Sequence, residues 1–150
     1  MTMKTQMNLD ERLAEHFTLR EMLASGTARE QKIDNMPTER DVECLRRLCQ
    51  QVLEPLRRRF GVVRITSGYR SERLNEAVGG VPLSQHCYGQ AADIHCSSLE
   101  SARHMYLYIR DHLDFDQLLL ERRLSNGCCW LHVSYVSPGL NRRKAGEIKV

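Results

Sequence analysis

Three residues have the clearest chemical potential: His86 and Asp93, in the segment SQHCYGQAADIHC (84–96), and His132, in WLHVSY (130–135). Two histidines and one carboxylate can hold a zinc ion and leave its fourth position open for water, as hydrolytic zinc sites do. Zinc lowers the pKa of such a water towards ~7 and polarises a substrate carbonyl. These residue types therefore indicate metal-assisted hydrolysis, provided that the fold brings the three side chains together.

The spacing of His86 and Asp93 favours a shared cleft. The segment AADIHC (91–96) is typical of a strand, and His86 would lie in the loop before it. Gly89 and the alanines of the strand allow the loop to fold tightly and the strand to pack closely. His132 is the best candidate for the third ligand, because it lies in the middle of a second predicted strand.

The cysteines raise two other possibilities, disulfide bridges and a nucleophilic thiol. The N-terminal segment lacks the apolar run of a secretory signal, so we expect free thiols rather than bridges. No histidine or acid is clearly placed to activate Cys87 or Cys96, and a cysteine peptidase is therefore a poor interpretation. Cys44 and Cys49 lie on a predicted helix and are expected to be core or half-buried residues. The six cysteines are Cys44, Cys49, Cys87, Cys96, Cys128 and Cys129.

Length and composition bound the class of protein. The chain has 150 residues, 41% of them hydrophobic and 27% charged, which is typical of one soluble globular domain. The net charge is +3, from 22 basic and 19 acidic residues, and this balance gives no argument for nucleic-acid binding. No run approaches the ~18 apolar residues of a membrane span. We therefore expect no nucleic-acid or membrane partner and a chain that is cytoplasmic as synthesised.

The hydrophobic pattern predicts an N-terminal helical part at about 9–60, a part that carries the zinc ligands at about 61–137, and a basic tail to residue 150. A capping pattern at Thr18 starts a short helix. A long amphipathic helix runs from Thr38 to Gly61, with a kink or early stop expected at Pro55. The tail, NRRKAGEIKV, has little pattern and is expected to be loosely held.

After Gly61, strands alternate with helices. A short helix is predicted within SGYRSERLNEAVGG (67–80) and an amphipathic one within SLESARHMYLYIRDHL (98–113). This order predicts an α+β fold, in which helices flank a small, mainly antiparallel sheet. The predicted strands are VVRIT (62–66), AADIHC (91–96), FDQLLLE (115–121) and CCWLHVSYV (128–136).

The motifs SGYR (67–70), Ser84-x-His86-x6-Asp93 and WLHVSY together resemble the zinc D-alanyl-D-alanine carboxypeptidases and the related phage and bacterial murein endopeptidases. The resemblance begins near FTLREMLASGTA (17–28) and continues to WLHVSYVSPGLNR (130–142), so it covers nearly the whole chain. It implies a Hedgehog/DD-peptidase-like fold and a single zinc peptidase domain over residues 1–150. The same fold occurs in the animal Hedgehog signalling domain, so the fold alone does not establish peptidase activity.

The resemblance also assigns roles to residues. It makes His86, Asp93 and His132 the ligands of a Zn2+ cofactor. It makes Arg70 a cleft residue that binds substrate and stabilises developing negative charge, and a planar guanidinium suits a carboxylate or an oxyanion beside a metal. The other interpretation of Arg70 is a turn residue paired with a surface acid. Ser84 is either a second polar contact to substrate or a cap of the loop.

The general base is the point at which this sequence departs from the family. In the family, an acidic residue commonly lies three positions before the last histidine ligand, and here Cys129 occupies that position. Either the base has moved or the chain is impaired as an enzyme. Glu121, at the end of FDQLLLE, is our first candidate for a catalytic base, because a neighbouring strand could bring it to the metal. Asp116 is the second candidate, and either acid would have to reach the attacking water at ~3 Å.

Two further residues near the predicted site have open interpretations. Cys129-x-x-His132 is a plausible zinc-ligand spacing. Residues three apart on a regular strand face opposite sides, which argues against that ligand unless a bulge precedes His132. His95 alternates with Asp93, and it is either a partner of the ligands in the cleft or a packed or partly exposed residue.

The sequence therefore predicts a zinc peptidase that hydrolyses peptidoglycan stem peptides, as a D-Ala-D-Ala carboxypeptidase or as a murein endopeptidase of the endolysin type, and that is a monomer. A zinc-activated water would attack the amide carbonyl, and Arg70 with zinc would hold the oxyanion. A phage-type lysin that needs help to reach the bacterial cell wall fits this reading, as does a short domain with an unrecognised export route. The alternative is a non-catalytic zinc domain of the same fold that binds a peptide or a protein, and its support is Cys129 in place of the usual acid.

Overall fold

The computed structural model describes residues 7–150. These residues form seven strands, six α-helices, a π-helical turn at Cys49–Leu53 and a 3-10 helix at Gln85–Tyr88. The strands are β1 (Arg12–Ala14), β2 (Phe17–Thr18), β3 (Ile65–Ser67), β4 (Ala91–Cys96), β5 (Gln117–Arg122), β6 (Cys129–Ser134) and β7 (Lys144–Lys149). The α-helices are α1 (Leu19–Leu23), α2 (Gly26–Gln31), α3 (Glu39–Leu48), α4 (Glu54–Phe60), α5 (Glu72–Ala77) and α6 (Leu99–His112).

The main sheet has five strands in the order β3-β4-β6-β5-β7. The first four pair in antiparallel fashion, whereas β7 runs parallel to β5. Helix α6 packs on β5 and β6, and β1 and β2 form a separate hairpin that the sequence pattern did not indicate. The predicted α+β class, with helices flanking a small and mainly antiparallel sheet, is confirmed.

The central strands separate a core face of the sheet from an open face. Successive side chains of a strand point to opposite faces, so β4 buries Ile94 while Asp93 lies on the other side. In the same way β6 buries Leu131 and places His132 on the open face. The sheet residues of the hydrophobic core include Ala92, Ile94, Leu118, Leu120, Leu131 and Val133. The chemistry-bearing side chains are thereby left on the face opposite the core.

The long helix predicted from Thr38 to Gly61 is present but not uniform. The Thr38 hydroxyl accepts the Asp41 amide at 3.2 Å, and the Asp41 carboxylate accepts the Thr38 amide at 3.0 Å. The kink expected at Pro55 takes the form of the π-helical turn that lies just before α4. A proline has no N–H to donate and its ring crowds the preceding turn, which accounts for a widened turn at this point.

The expectation of a loosely held tail is wrong. Residues Lys144–Lys149 form β7, which pairs with β5 along its whole length, from Gln117 opposite Lys144 to Arg122 opposite Lys149. The strand lies at the edge of the sheet and is exposed on both faces. An edge strand of this kind shows no alternation of polar and apolar residues, so its pattern carried no signal.

A buried carboxylate ties the segment before β7 to the rest of the fold. Asp116 precedes β5, and only 1% of its surface is exposed. Its carboxylate accepts hydrogen bonds from the Arg142 amide (2.9 Å) and from Arg142 Nε (3.0 Å) and Nη2 (2.8 Å). These bonds from Arg142 outweigh the opposing effect of burial and lower the pKa of Asp116 to about 2.

Replacing Asp116 with asparagine is expected to lower the free energy of unfolding at neutral pH by about 2 kcal/mol. The pKa of Asp116 is lower in the folded than in the unfolded chain, so its contribution is present above pH ~4 and is lost as the pH falls towards about 2. Urea unfolding of both proteins at several pH values measures the difference. As a control, the exposed Asp111→Asn should change stability little. A stability difference for Asp116→Asn that stays constant from pH 7 to pH 2 would contradict this assignment.

No helix within residues 7–150 is both long enough and apolar enough to cross a membrane.

Candidate metal centre

Strands β4 and β6 place two of the predicted zinc ligands opposite each other. Asp93 on β4 is the direct register partner of His132 on β6. Both side chains lie on the open face, and His132 Nδ1 is 3.0 Å from Asp93 Oδ1. An imidazole and a carboxylate therefore lie side by side on two hydrogen-bonded strands.

His86 reaches the same point from the 3-10 helix. Its Nδ1 lies 2.7 Å from the carbonyl oxygen of Gly68, and its Nε2 lies 3.4 Å from Asp93 Oδ1. Gly68 has no side chain, and a Cβ at this position would collide with a backbone carbonyl of α1. Glycine at this position therefore allows the backbone to pack against α1, and from there the Gly68 carbonyl bonds to the imidazole.

The glycine that ends the 3-10 helix is equally constrained. Gly89 has a φ of 73°, in the left-handed region, and a Cβ there would collide with the carbonyl oxygen of Asp41 on α3. The close packing of this turn against α3 sets the position from which β4 starts. The small residue expected between His86 and Asp93 thus has a specific steric reason.

The metal cluster, by which we mean His86, Asp93 and His132, has the donor chemistry of a zinc site. One ligand atom from each residue lies within 4.8 Å of the others. The Gly68 carbonyl accepts the Nδ1 proton of His86, which leaves the Nε2 lone pair facing Asp93. Two imidazole nitrogens and one carboxylate oxygen fit a tetrahedral zinc ion with one open position.

The electrostatics of the cluster favour an ionised carboxylate. Burial by itself would raise the pKa of Asp93, but the adjacent imidazoles of His132 and His86 hold it well below its usual range. Asp93 is therefore a carboxylate at neutral pH, which is the form that binds a metal ion.

Glu121 lies on the open face beside the metal cluster. On β5 it is opposite Trp130 of β6, and the next residue of β6 on the same face is His132. Trp130 Nε1 donates a hydrogen bond to Glu121 Oε2 at 2.7 Å. Burial raises the pKa of Glu121, the charge of Asp93 raises it further, and the Trp130 bond lowers it.

The second candidate for the base has a different environment. The Asp116 carboxylate is occupied by Arg142 and by Gln85 Nε2, which donates to it at 2.9 Å. Its charge is neutralised by a guanidinium, and its low pKa makes it a weak proton acceptor. The structure therefore favours Glu121 over Asp116 as the acid beside the metal cluster.

Arg70 is adjacent to the metal cluster through its backbone. Its amide donates to the carbonyl oxygen of His86 at 3.0 Å. Its Nε is buried and has no hydrogen-bond partner among the residues that the structure describes. A buried donor without a partner is costly, and it fits a side chain that is completed by a bound anionic group.

Ser84 acts as a cap in this structure. It is buried, and its Oγ accepts the backbone amide of His86 at 3.2 Å, at the start of the 3-10 helix. Of its two interpretations, the capping role is therefore supported by a contact. A direct contact to substrate stays a prediction.

Cys129 lies on the opposite face of β6 from His132. It is buried in the core with 4% exposure, and its Sγ is 3.4 Å from the carbonyl oxygen of Gly127. The strand is regular between the two residues, so a spacing of three turns the thiol away from the metal cluster. The interpretation of Cys129 as a zinc ligand is wrong for this reason.

His95, by contrast, is exposed on the open face.

Cys129→Ala is expected to leave the zinc content unchanged and to lower the free energy of unfolding by about 1 kcal/mol, because it removes one buried heavy atom from the core. Elemental analysis of the purified protein and urea unfolding measure the two effects. The neighbouring Cys128 is exposed, so Cys128→Ala should change neither. A loss of zinc in Cys129→Ala alone would restore the thiol as a ligand.

A second group of potential metal ligands lies far from this site in sequence. Glu15, His16 and Glu54 also bring ligand atoms within 4.8 Å of one another. The buried Glu54 accepts hydrogen bonds from the His16 amide and lies 2.7 Å from His16 Nδ1, and Arg58 approaches both glutamates. Because the Arg58 guanidinium already neutralises the two glutamates, this group is an ion-pair network that joins the β1–β2 turn to α4.

The sequence interpretation overlooked Trp130 as a partner of the candidate base. The signal was available, because alternation along WLH places Trp130 on the same face as His132. A half-buried indole N–H also needs an acceptor, and a carboxylate on the neighbouring strand supplies one.

Comparison with known proteins identifies the family of the chain. A family model described as Peptidase M15 matches residues 15–133, a span that includes the metal cluster, Arg70 and Glu121. No curated protein matches the chain. The family match covers most of the sequence and confirms the resemblance inferred from its motifs. The chain belongs to the Peptidase M15 family, whose members are zinc-dependent metallopeptidases.

Proposed function

We propose that this protein is a zinc peptidase that hydrolyses amide bonds in peptidoglycan stem peptides. The observation that carries the proposal is the convergence of His86, Asp93 and His132 on the open face of the sheet, with Glu121 on the next strand. Metal-assisted peptide hydrolysis requires a metal site and an adjacent group that accepts a proton from the attacking water, and a carboxylate can be that group. Membership of the Peptidase M15 family supports the peptidase class.

The three residues of the metal cluster would hold the zinc ion. When bound, zinc supplies a Lewis acid for the scissile carbonyl and lowers the pKa of the attacking water towards ~7. Asp93 contributes a carboxylate that is ionised at neutral pH, and His86 is held by the Gly68 carbonyl in the tautomer that offers Nε2. The protein thus presents Asp93 and His86 in forms that can bind a metal ion.

Glu121 is the proposed general base. Its carboxylate would accept a proton from the attacking water and return it to the nitrogen of the leaving amine. The hydrogen bond from Trp130 holds one carboxylate oxygen, so the other is available for the water. This arrangement places a base on β5 and removes the need for an acid at the position of Cys129.

Arg70 is the proposed anion-binding residue of the site. Its buried Nε lacks a partner among the described residues, and its backbone lies against His86. A guanidinium in this position suits the carboxylate of a stem peptide or the oxyanion that develops during amide hydrolysis. Stem peptides carry free carboxylates, which is one reason to propose them as the substrate.

Two bonds are consistent with the proposal, the terminal D-alanyl-D-alanine bond and an internal bond such as L-alanyl-D-glutamate. A monomer that acts at the bacterial cell wall as a phage-type lysin is the setting that we propose for either activity. Nothing in this proposal requires nucleic acid or a membrane as a partner.

Digestion of purified peptidoglycan by the zinc-loaded protein, followed by mass spectrometry of the released fragments, tests the proposal. We expect new fragments that a chelator prevents. Release of free D-alanine would assign a carboxypeptidase, and release of peptides that begin at D-glutamate would assign an endopeptidase that cleaves the L-alanyl-D-glutamate bond. One equivalent of bound zinc without cleavage of any stem peptide would refute the proposal and favour a non-catalytic zinc domain.

A further inference from the structure

A polar cluster built around one buried carboxylate lies next to the metal cluster and is not part of it. We call Gln85, Asp116 and Arg142 the Asp116 cluster. The Asp116 carboxylate receives three hydrogen bonds from Arg142, and Gln85 Nε2 donates a fourth at 2.9 Å. With 1% of its surface exposed, Asp116 has its acceptor capacity filled by protein groups.

The Asp116 cluster joins three parts of the chain that are distant in sequence. The Asp116 amide donates to the Ser134 carbonyl at the end of β6 at 2.8 Å, and the Asp116 carbonyl accepts the Lys144 amide at the start of β7 at 2.9 Å. Arg142 belongs to the segment between these strands, beyond the residues that the family model matches. Gln85 is the first residue of the 3-10 helix. One carboxylate therefore links the C-terminal segment to the helix that carries His86.

The 3-10 helix depends on bonds to other elements, because four residues of this geometry are not stable on their own. The Gly68 carbonyl and the Arg70 amide bond to His86, and the Gln85 side chain supplies the bond towards β5. The local bonds of the helix, from the Ser84 cap and from the Gln90 amide to the Gln85 carbonyl, close the turn on itself. Those bonds define the shape of the turn, but they do not fix its distance from β5. The Gln85 side chain supplies that fixed point, since a doubly bonded Arg142 holds its acceptor rigidly.

We propose that Arg142 and Asp116 are positioning residues of the metal centre, which act through Gln85 to hold His86 in register with Asp93 and His132. This inference rests on the proposed zinc site. It makes the C-terminal segment part of the metal-binding apparatus, although that segment contributes no ligand. Residues that orient metal ligands typically change metal affinity by about 10- to 100-fold when they are replaced.

Zinc affinity, measured by competition with a chromophoric chelator, tests this inference without any peptide substrate. Gln85→Ala removes the link to the helix and leaves the Asp116–Arg142 pair in place. Arg142→Ala removes the guanidinium, and Arg142→Lys keeps its charge. We expect zinc affinity to fall about 10-fold or more in Gln85→Ala and Arg142→Ala, with partial recovery in Arg142→Lys. The visible absorption of the Co2+-substituted proteins should change in the same order, because it reports ligand geometry.

Arg143 provides the matched control. It lies next to Arg142 and makes comparable bonds, to the carbonyls of Leu113 and Arg110 and to Asp114, but it does not contact the Asp116 cluster. Arg143→Ala should therefore change zinc affinity less than about twofold. Equal losses in Arg143→Ala and Arg142→Ala would mean a general loss of stability and would overturn the inference.

The outcomes separate this inference from the proposed function. Wild-type protein that binds zinc, together with a folded Gln85→Ala variant that binds it equally well, would overturn the inference alone. Wild-type protein that binds no zinc would refute the proposed function instead. If Arg142→Ala fails to fold, Gln85→Ala still decides the question, because it leaves the Asp116–Arg142 pair intact.

Discussion

His132→Ala is expected to abolish zinc binding and peptide hydrolysis together. The substitution removes one of three ligand atoms and leaves only His86 and Asp93, which are too few to retain zinc against competing water and buffer. Hydrolysis should fall by at least about 1000-fold, because several kcal/mol of transition-state stabilisation depend on the metal. Elemental analysis after gel filtration and stem-peptide digestion measure the two losses on one preparation.

His95 provides the matched control for His132. It lies on the same open face, on β4 opposite Trp130, but it is exposed and is not part of the metal cluster. His95→Ala should therefore retain one equivalent of zinc and most of the activity. A His132→Ala protein that keeps its zinc would show that the ligand set is assigned wrongly. Loss of zinc in the His95→Ala protein would also show that the ligand set is assigned wrongly.

Glu121→Gln is expected to separate metal binding from catalysis. The amide is close in shape to the carboxylate and can still accept the Trp130 hydrogen bond, but it cannot take a proton from the attacking water. Zinc content should stay at one equivalent while kcat falls by about 10²- to 10⁴-fold. Steady-state kinetics on a stem peptide, with zinc determined on the same sample, provides the measurement.

Glu147 supplies the control for Glu121. It lies on β7 opposite Leu120, and it makes an ion pair with Arg103 away from the metal cluster. Glu147→Gln should leave kcat unchanged. If Glu121→Gln retains wild-type kcat, the base must be another group. The hydrogen bond from Trp130 to Glu121 would then have no role in catalysis.

The convergence of His86, Asp93 and His132 could be predicted because each residue lies within a strong local pattern. AADIHC is typical of a strand, and the small residues before it indicate a tight turn that places His86 beside Asp93. Alternation also predicted correctly that Cys129 and His132 face opposite sides of one strand. The direct pairing of Asp93 with His132 was not predictable, because strand register depends on contacts between distant parts of the chain.

Strand β7 and the Asp116 cluster were not predicted, because both depend on contacts between residues that are far apart in the sequence. Strand β7 is exposed on both faces, so its residues carry no periodic signal, and its pairing with β5 is set by the sheet edge. The Asp116 cluster combines Gln85, Asp116 and Arg142, none of which is distinctive in its own segment. Asp116 was considered as a base because it is an acid near a predicted strand, and only the structure shows that Arg142 neutralises it.

Stepwise reloading of chelator-treated protein with zinc, while hydrolysis of a peptidoglycan stem peptide is followed, tests the central claim most directly. We predict that hydrolysis is absent without metal, rises in proportion to added zinc and reaches its maximum at one equivalent. The His132→Ala protein should show no rise at any zinc concentration in this range. Occupancy of one zinc site without hydrolysis of any stem peptide, or hydrolysis that is indifferent to the chelator, would contradict the account.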